Sequence, residues 1–323
     1  MNADAEFGDS ARKVDLARLV AIVGKWNIDE KKAEFIRYDN ASFKIGVALS
    51  DVRCTAGDFA ATVELAEVEE GCAHFVLGHD PENMIAFTVG IGGFDRAYSI
   101  SEYYLPRRSR MIHGIGQKEN LRANRKYRIE VQLRGQNVKF SVDGTRVFEH
   151  TLPHPLYGDQ FGIKGYGEGT VTFTDVEAHP RRPRAFVVMQ FSEPYDSLYA
   201  EVIKPVADRV GYEAYRADDV LRPGIILQDI VRGIAGSDVI IAEVTPQNAN
   251  VFYELGFAHA LSKPTILLAE HPKEGGVALP FDISGFRCIF YDDAIRGKSK
   301  VESALERHLR NIREGDQEAI VTE

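Results

Sequence analysis

The 323 residues carry 39 basic and 48 acidic side chains, with 44 % hydrophobic and 27 % charged residues. This is the balance of a folded chain too long for one compact core, so two domains are expected. The net charge of -9 divides evenly, 22 basic against 26 acidic residues up to Pro180 and 17 against 22 beyond it, which excludes the concentrated basic surface of a general nucleic-acid binder.

No apolar run is long enough to span a bilayer, and the opening MNADAEFGDS lacks the basic start and apolar centre of a secretion signal, so no membrane association and a cytoplasmic location are expected. Cys54, Cys72 and Cys288 have no close spacing, which favours reduced thiols over a disulfide frame or a thiolate zinc site. His150 and His154 flank a proline-bearing turn without the helical spacing that aims two rings at one metal, so no metal site is expected.

Leu16, Leu19, Val20 and Val23 fall at helical spacing, so a helix over Ser10 to Trp26 is expected, with residues 1–25 as an N-terminal element. A period-two region follows. Ala60 to Val68, His74 to Leu77, Ile85 to Ile91, Tyr127 to Leu133, Val138 to Val142 and Thr170 to Val176 are short and rich in β-branched and aromatic residues, as in an antiparallel sandwich. The clearest hairpin turns at Gly135-Gln-Asn137, with a second tight turn at Asp143-Gly144. Gly162, Gly165, Gly167 and Gly169 do not spell a phosphate-binding loop ahead of a helix and are expected at a turn between strands. The run YRIEVQLRGQNVKFSVDGTRVFEH and the later GDQFGIKGYGEGTVTFTDVEAH resemble the terminal strands of concanavalin A-like jelly-roll domains. That resemblance implies an all-β sandwich over residues 26–179, and the expectation for this domain, set by the resemblance found in the second half of the chain, is a sensor or assembly role with a glycan, nucleotide or protein signal as its partner. The acidic cluster Glu64, Glu67, Glu69 and Glu70 lacks the strand motif of glycan-cleaving relatives.

Residues 180–184 carry two prolines and three arginines and read as a short stiff linker. Beyond it, strands and helices alternate and the strands are continuously apolar, as a parallel sheet covered on both faces requires. Strands are expected at Ala185 to Phe191, Tyr212 to Arg216, Asp238 to Val244, Thr265 to Ala269 and Cys288 to Tyr291. Helices are expected at Ser197 to Val210, Ile225 to Ala235, Val251 to Leu261 and Lys300 to Glu314. The fold class is therefore a flavodoxin-like α/β sheet of five parallel strands over residues 185–323. Ligands of such sheets bind beyond the carboxyl ends of the strands, which selects Gln190, Phe191, Arg216, Asp218 and the stretch from Glu243 to Asn250. With no Walker-type or dinucleotide fingerprint, Arg216 and Arg222 are the candidates for holding phosphate.

The sharpest signal is TPQNANVFYELGFAHALSKP. On a helical wheel of about 100° per residue, Glu254 lies within an apolar stripe of Leu261, Ala258, Val251 and Phe257, with Asn250 beside it. A carboxylate there is desolvated, its pKa rises, and it needs either a partner or a function. From Arg184 to Asp293 the chain resembles bacterial TIR-like domains and nucleoside 2-deoxyribosyltransferase-like proteins, through AYRADDVLRPG and SDVIIAEVTPQNANVFYELGFAHALSKPTILL. The resemblance implies that Glu254 is the catalytic carboxylate acting at an anomeric carbon. Asn250 and Glu243 would orient the ribose, and Phe191 or Tyr253 would stack on a base. The family's strand ends in Ala-Asp, whereas this chain has Ala242-Glu243, one methylene longer.

Positive charge develops on ribose as an N-glycosidic bond breaks, and a preorganised carboxylate stabilises it or attacks it. The expectation is an NAD glycohydrolase, a TIR-like effector of anti-phage defence that acts as a homo-oligomer, with NAD as substrate and no resident cofactor. Two alternatives stay open: a nucleoside or nucleotide N-glycosidase or deoxyribosyltransferase, and a non-catalytic module that binds a nucleotide signal or another TIR-like domain.

Overall fold

The computed structural model describes residues 12–36, 44–104, 108–219, 226–245, 247–271, 283, 286–292 and 295–314. The chain divides into two compact units, one of residues 1–152 with 156–181 and the other of residues 153–155 with 182–323.

The first unit is built of β1 (Arg12–Lys13), β2 (Val20–Val23), β3 (Lys25–Ile28), β4 (Lys32–Ile36), β5 (Ile45–Arg53), β6 (Gly57–Leu65), β7 (Cys72–Asp80), β8 (Ile85–Gly92), β9 (Arg96–Tyr104), β10 (Arg108–Gln117), β11 (Lys126–Arg134), β12 (Asn137–Val142), β13 (Thr145–Thr151), β14 (Gln160–Tyr166) and β15 (Val171–Pro180). Among the described residues they form two antiparallel sheets. One runs β13-β12-β11-β6-β15-β4-β3, with β1 added to β15, and the other runs β10-β9-β8-β7-β14-β5-β2. Phe59, Phe75, Phe87, Phe140, Phe161 and Phe173 fill the core between them. Phe59 of the first sheet stacks on Phe161 of the second with ring centroids 4.6 Å apart. Burying each such ring stabilises the unit by roughly 1.5–3 kcal/mol.

The two sheets read differently. In β6 buried and partly exposed residues alternate strictly, the signature of one face inward and one outward. In β7 and β8 nearly every residue is buried, so the middle of the second sheet is covered on both faces, while its edge strands β2 and β10 are largely exposed.

The expected helix over residues 10–26 is not present among the described residues 12–26. Leu16–Arg18 make one 3-10 turn, capped by the Asp15 side chain accepting from the Ala17 amide, which accounts for the helical spacing of Leu16 and Leu19. The β-branched run at Val20–Val23 then pairs with β5, as side chains stiff at χ1 favour. Gly24, at φ +78°, turns the chain into β3. The hairpins fall where the turn residues put them. Arg134 pairs with Asn137 across Gly135-Gln136, and Val142 pairs with Thr145 across Asp143 and Gly144. These last two residues both have positive φ, as a two-residue hairpin turn requires.

The glycines at 162 and 165 are not in a turn. They lie inside β14, where a Cβ on Gly162 would come within 2.5 Å of the Ala48 carbonyl and one on Gly165 within 2.8 Å of Phe35. The expected linker is also shorter than residues 180–184. Pro180 still pairs with Gly57 in β15, the Arg181 amide donates to the Ala56 carbonyl, and Arg184 already opens the next strand.

The second unit comprises β16 (Arg184–Val188), α1 (Tyr195–Leu198), a π turn at Tyr199–Ile203, α2 (Lys204–Arg209), β17 (Glu213–Tyr215), α3 (Ile226–Ala235), β18 (Val239–Glu243), α4 (Ala249–Ala260), β19 (Thr265–Glu270), β20 (Cys288–Tyr291) and α5 (Ile295–Glu314). The π turn ends two residues before Pro205, which has no amide hydrogen to continue an α-helical ladder. All pairings are parallel, in the order β17-β16-β18-β19-β20. Val187, Val202, Val206, Leu305 and Leu309 cover one face. Phe186, Val188, Ile240, Val251 and Leu255 cover the other.

Candidate functional site

Strand order reverses between β16 and β18, and the loops leaving their carboxyl ends bound the crevice that wound α/β sheets use for ligands. A side-chain bridge joins those loops. Asn248 Nδ2 donates to Gln190 Oε1 at 3.4 Å, and Gln190 Nε2 donates to the Ser192 hydroxyl at 2.9 Å. Asn248 also caps α4 by accepting from the Asn250 amide at 2.9 Å.

The loop after β17 is held from within. The Arg216 guanidinium makes two bonds to Asp218, of 3.0 and 2.7 Å, and one of 2.7 Å to Asp196. It also lies over the rings of Phe191 and Tyr199, at 4.9 and 4.5 Å. Asp219 accepts from the Tyr199 hydroxyl at 2.6 Å and from the Arg216 amide at 2.9 Å. Arg216 is 8 % exposed, so two carboxylates balance its charge and it serves as the wall on which Phe191 rests. This does not suit it to hold a phosphate, the role expected for it. Phe191 itself is 51 % exposed.

Glu243, at the end of β18, faces inward. It is 1 % exposed, its Oε1 accepts from the Tyr291 hydroxyl at 3.1 Å and its Oε2 from the Thr245 amide at 3.0 Å. Desolvation raises its pKa from 4.5 to about 8, with hydrogen bonds from Tyr291 and from the Thr245 backbone and side chain opposing the shift and Glu270 adding a like charge. Both oxygens are engaged in fixing the chain after β18, so the structure does not present Glu243 for the ribose contact expected of it.

Helix α4 buries Val251, Leu255 and Ala258. Taking Glu254 as zero, these lie at about 60°, 100° and 40° on the wheel, so Glu254 sits on the flank of the buried face and not in its middle. Leu255 is the residue that moves the centre of that face. Glu254 is half-buried, and no hydrogen bond or ion pair joins it to another described residue. Burial alone raises its pKa from 4.5 to about 7. Asn250 is exposed near the helix start and Tyr253 is 60 % exposed. Arg222 lies outside the described residues.

The structure therefore joins Gln190 to α4 through Asn248 and joins Phe191, Arg216 and Asp218 in one cluster, while Glu243 belongs to a separate internal network. Asp196, Tyr199 and Tyr291 carry much of this arrangement and were not singled out from the sequence. The i, i+3 spacing of Asp196 and Tyr199, both reaching Arg216, was the available signal.

No family model matches the chain, and no curated protein matches it. Among solved structures, it is similar to the carbohydrate binding module CBM66 from Bacillus subtilis, at 13 % identity over 50 % of this chain and 95 % of that one, with a TM-score of 0.43. It is similar to a Bacillus licheniformis beta-glucanase at 10 % identity over 53 % and 87 %, with a TM-score of 0.37. It is also similar to a Bacillus subtilis protein of unknown function with a galectin-like fold, at 12 % identity over 51 % and 92 %, with a TM-score of 0.36. The assignment of the N-terminal half as a two-sheet antiparallel sandwich stands on its own strand pairing.

Proposed function

We propose that the C-terminal unit is a flavodoxin-like, TIR-like N-ribosyl hydrolase that cleaves the bond between nicotinamide and ribose in NAD, with Glu254 as the carboxylate at the anomeric carbon. The observation that carries this reading is the half-buried, unpartnered state of Glu254 among the described residues, with a pKa near 7 set by burial alone. Such a group gains most from a cationic partner. The nicotinamide ring is cationic before cleavage, and the ribose becomes so during it. A dry carboxylate beside that carbon stabilises developing charge more strongly than one in water.

The helix bearing Glu254 is held at the crevice by the Asn248–Gln190 bridge, a link that limits positional error at the reacting centre. The exposed face of Phe191, backed by Arg216, offers a stacking surface for a base. The β-sandwich would act as the sensor or assembly surface that controls this unit, in a homo-oligomer serving anti-phage defence, with a glycan, nucleotide or protein as its signal.

The test is incubation of the full chain with NAD and, separately, with deoxynucleosides, with chromatography of the released base. Nicotinamide supports the proposal. Release of a nucleobase alone would instead make the protein a nucleoside N-glycosidase or deoxyribosyltransferase using the same glutamate as nucleophile, and release of neither would favour a binding module.

A further inference from the structure

Glu254 has no partner of its own among the described residues, so where its carboxylate stands is decided by where α4 stands. The start of that helix is tied down through Asn248, which caps it and donates to Gln190. Three residues before Asn248 the chain is pinned again, at Thr245. The Thr245 amide donates to Glu243 Oε2 at 3.0 Å and the Thr245 hydroxyl accepts from the Glu270 amide at 3.0 Å. That hydroxyl also bonds to Glu243.

Glu243 takes its own orientation from farther away. In the order β18-β19-β20, its side chain leaves the end of β18 and accepts at 3.1 Å from the hydroxyl of Tyr291, on the strand beyond β19. Register places Tyr291 beside Glu270 and Glu243 beside Leu268. The carboxyl ends of all three strands are thus tied to the segment that enters α4. Here the methylene that distinguishes Glu from Asp matters. An Asp at this position can accept from the amide two residues on, as in an Asx turn, but is one methylene short of Tyr291. A carboxyl only 1 % exposed is costly to desolvate, and an apolar side chain of similar size would fill the same space at less cost.

We propose that Glu243 is a positioning residue for the reaction at Glu254: by holding Tyr291 and Thr245 together it fixes the entry to α4, and with it the placement of the Glu254 carboxylate, without touching the substrate. The inference rests on the reading of Glu254 as the reacting carboxylate. Displacing such a group by about 1 Å costs up to about 10²-fold in rate, so the hold is readable in kcat.

The experiment compares the full chain with Glu243→Gln, Glu243→Asp and Glu243→Ala. It reads kcat and KM for nicotinamide release together with amide hydrogen exchange at the start of α4, where the Asn250 amide is bonded to Asn248. Glu243→Gln keeps the length and both polar positions, and the native carboxyl, with a pKa of about 8, is itself largely protonated at neutral pH. Its kcat and exchange should therefore stay within about threefold of the wild type. Glu243→Asp and Glu243→Ala should lose about 10–100-fold in kcat with little change in KM, and exchange at the Asn250 amide should quicken about tenfold. Folded Asp and Ala variants with wild-type kcat and exchange overturn the proposal. So does a Gln variant as inactive as the Ala variant with exchange unchanged, which would make Glu243 a direct contact of the ribose. If the wild type releases no nicotinamide, the reading of Glu254 fails by itself and exchange alone decides. Quickened exchange in the Asp and Ala variants then supports the hold on α4, and unchanged exchange overturns it. Should Glu243→Ala fail to fold, Tyr291→Phe takes its place with the same directions expected, and no change in either readout overturns the proposal.

Discussion

At the residue scale, the glutamate that ends β18 and the one within α4 show how environment assigns different work to the same side chain. Both have raised pKa values and both shifts begin with desolvation. Glu243 spends its oxygens on Tyr291 and Thr245, whereas Glu254 is left without a partner among the described residues. If Glu254 must be ionised to act, its ionised fraction grows as pH rises through about 7. The rate of nicotinamide release at pH 6 should then lie roughly tenfold below its alkaline plateau. A pH profile of kcat/KM checks this, and a flat profile from 5 to 8 would remove Glu254 from the reaction.

Glu243 makes a separate prediction about stability. Its folded pKa lies above its unfolded one, so the native state binds more protons between pH 4.5 and 8, and stability falls as pH rises across that window. The loss is on the order of 2–4 kcal/mol. Thermal unfolding from pH 5 to 8 should show a falling midpoint in the wild type and a flatter one in Glu243→Gln.

At the element scale, α4 is the part that positions the candidate site. Its buried residues, Val251, Leu255 and Ala258, seat it on the sheet, and its cap reaches the loop after β16. Leu255→Ala should destabilise the second unit by about 2–5 kcal/mol, measured by urea unfolding. Arg216→Ala should cost about 1–3 kcal/mol, because Asp196 and Asp218 lose their shared cation and the Phe191 ring loses its backing.

The second unit was legible in the sequence because continuous apolar runs such as VIIAE and TILLAE admit few readings, and Cys288–Tyr291 falls where expected. The segment before Trp26 was not. A run of four to six apolar residues fits a helical turn or a strand equally well, and the long-range pairing of Val20–Val23 with β5 decided between them. Glu254 stands out in the sequence as a carboxylate in an apolar stripe, but its half-buried place on the flank depends on Leu255, which a stripe drawn through the other apolar residues passes over. The inward turn of Glu243 rests on Tyr291, 48 residues away, which local spacing does not reveal.

At the scale of the whole molecule, the chain joins an antiparallel sandwich to a parallel α/β sheet, each with its own core. That division allows sensing and chemistry to reside in different units. If activity depends on assembly, the initial rate of nicotinamide release per chain should climb with protein concentration, and a rate strictly proportional to concentration would indicate a self-sufficient monomer.

The central claim is that one carboxylate on α4 performs the bond cleavage. The most direct measurement compares nicotinamide release from NAD by the wild type and by Glu254→Gln at matched concentration, with circular dichroism and the unfolding midpoint recorded for both. The account predicts a loss of about 10²–10⁴-fold in rate with the fold intact. An unchanged rate in a folded Glu254→Gln protein would contradict it.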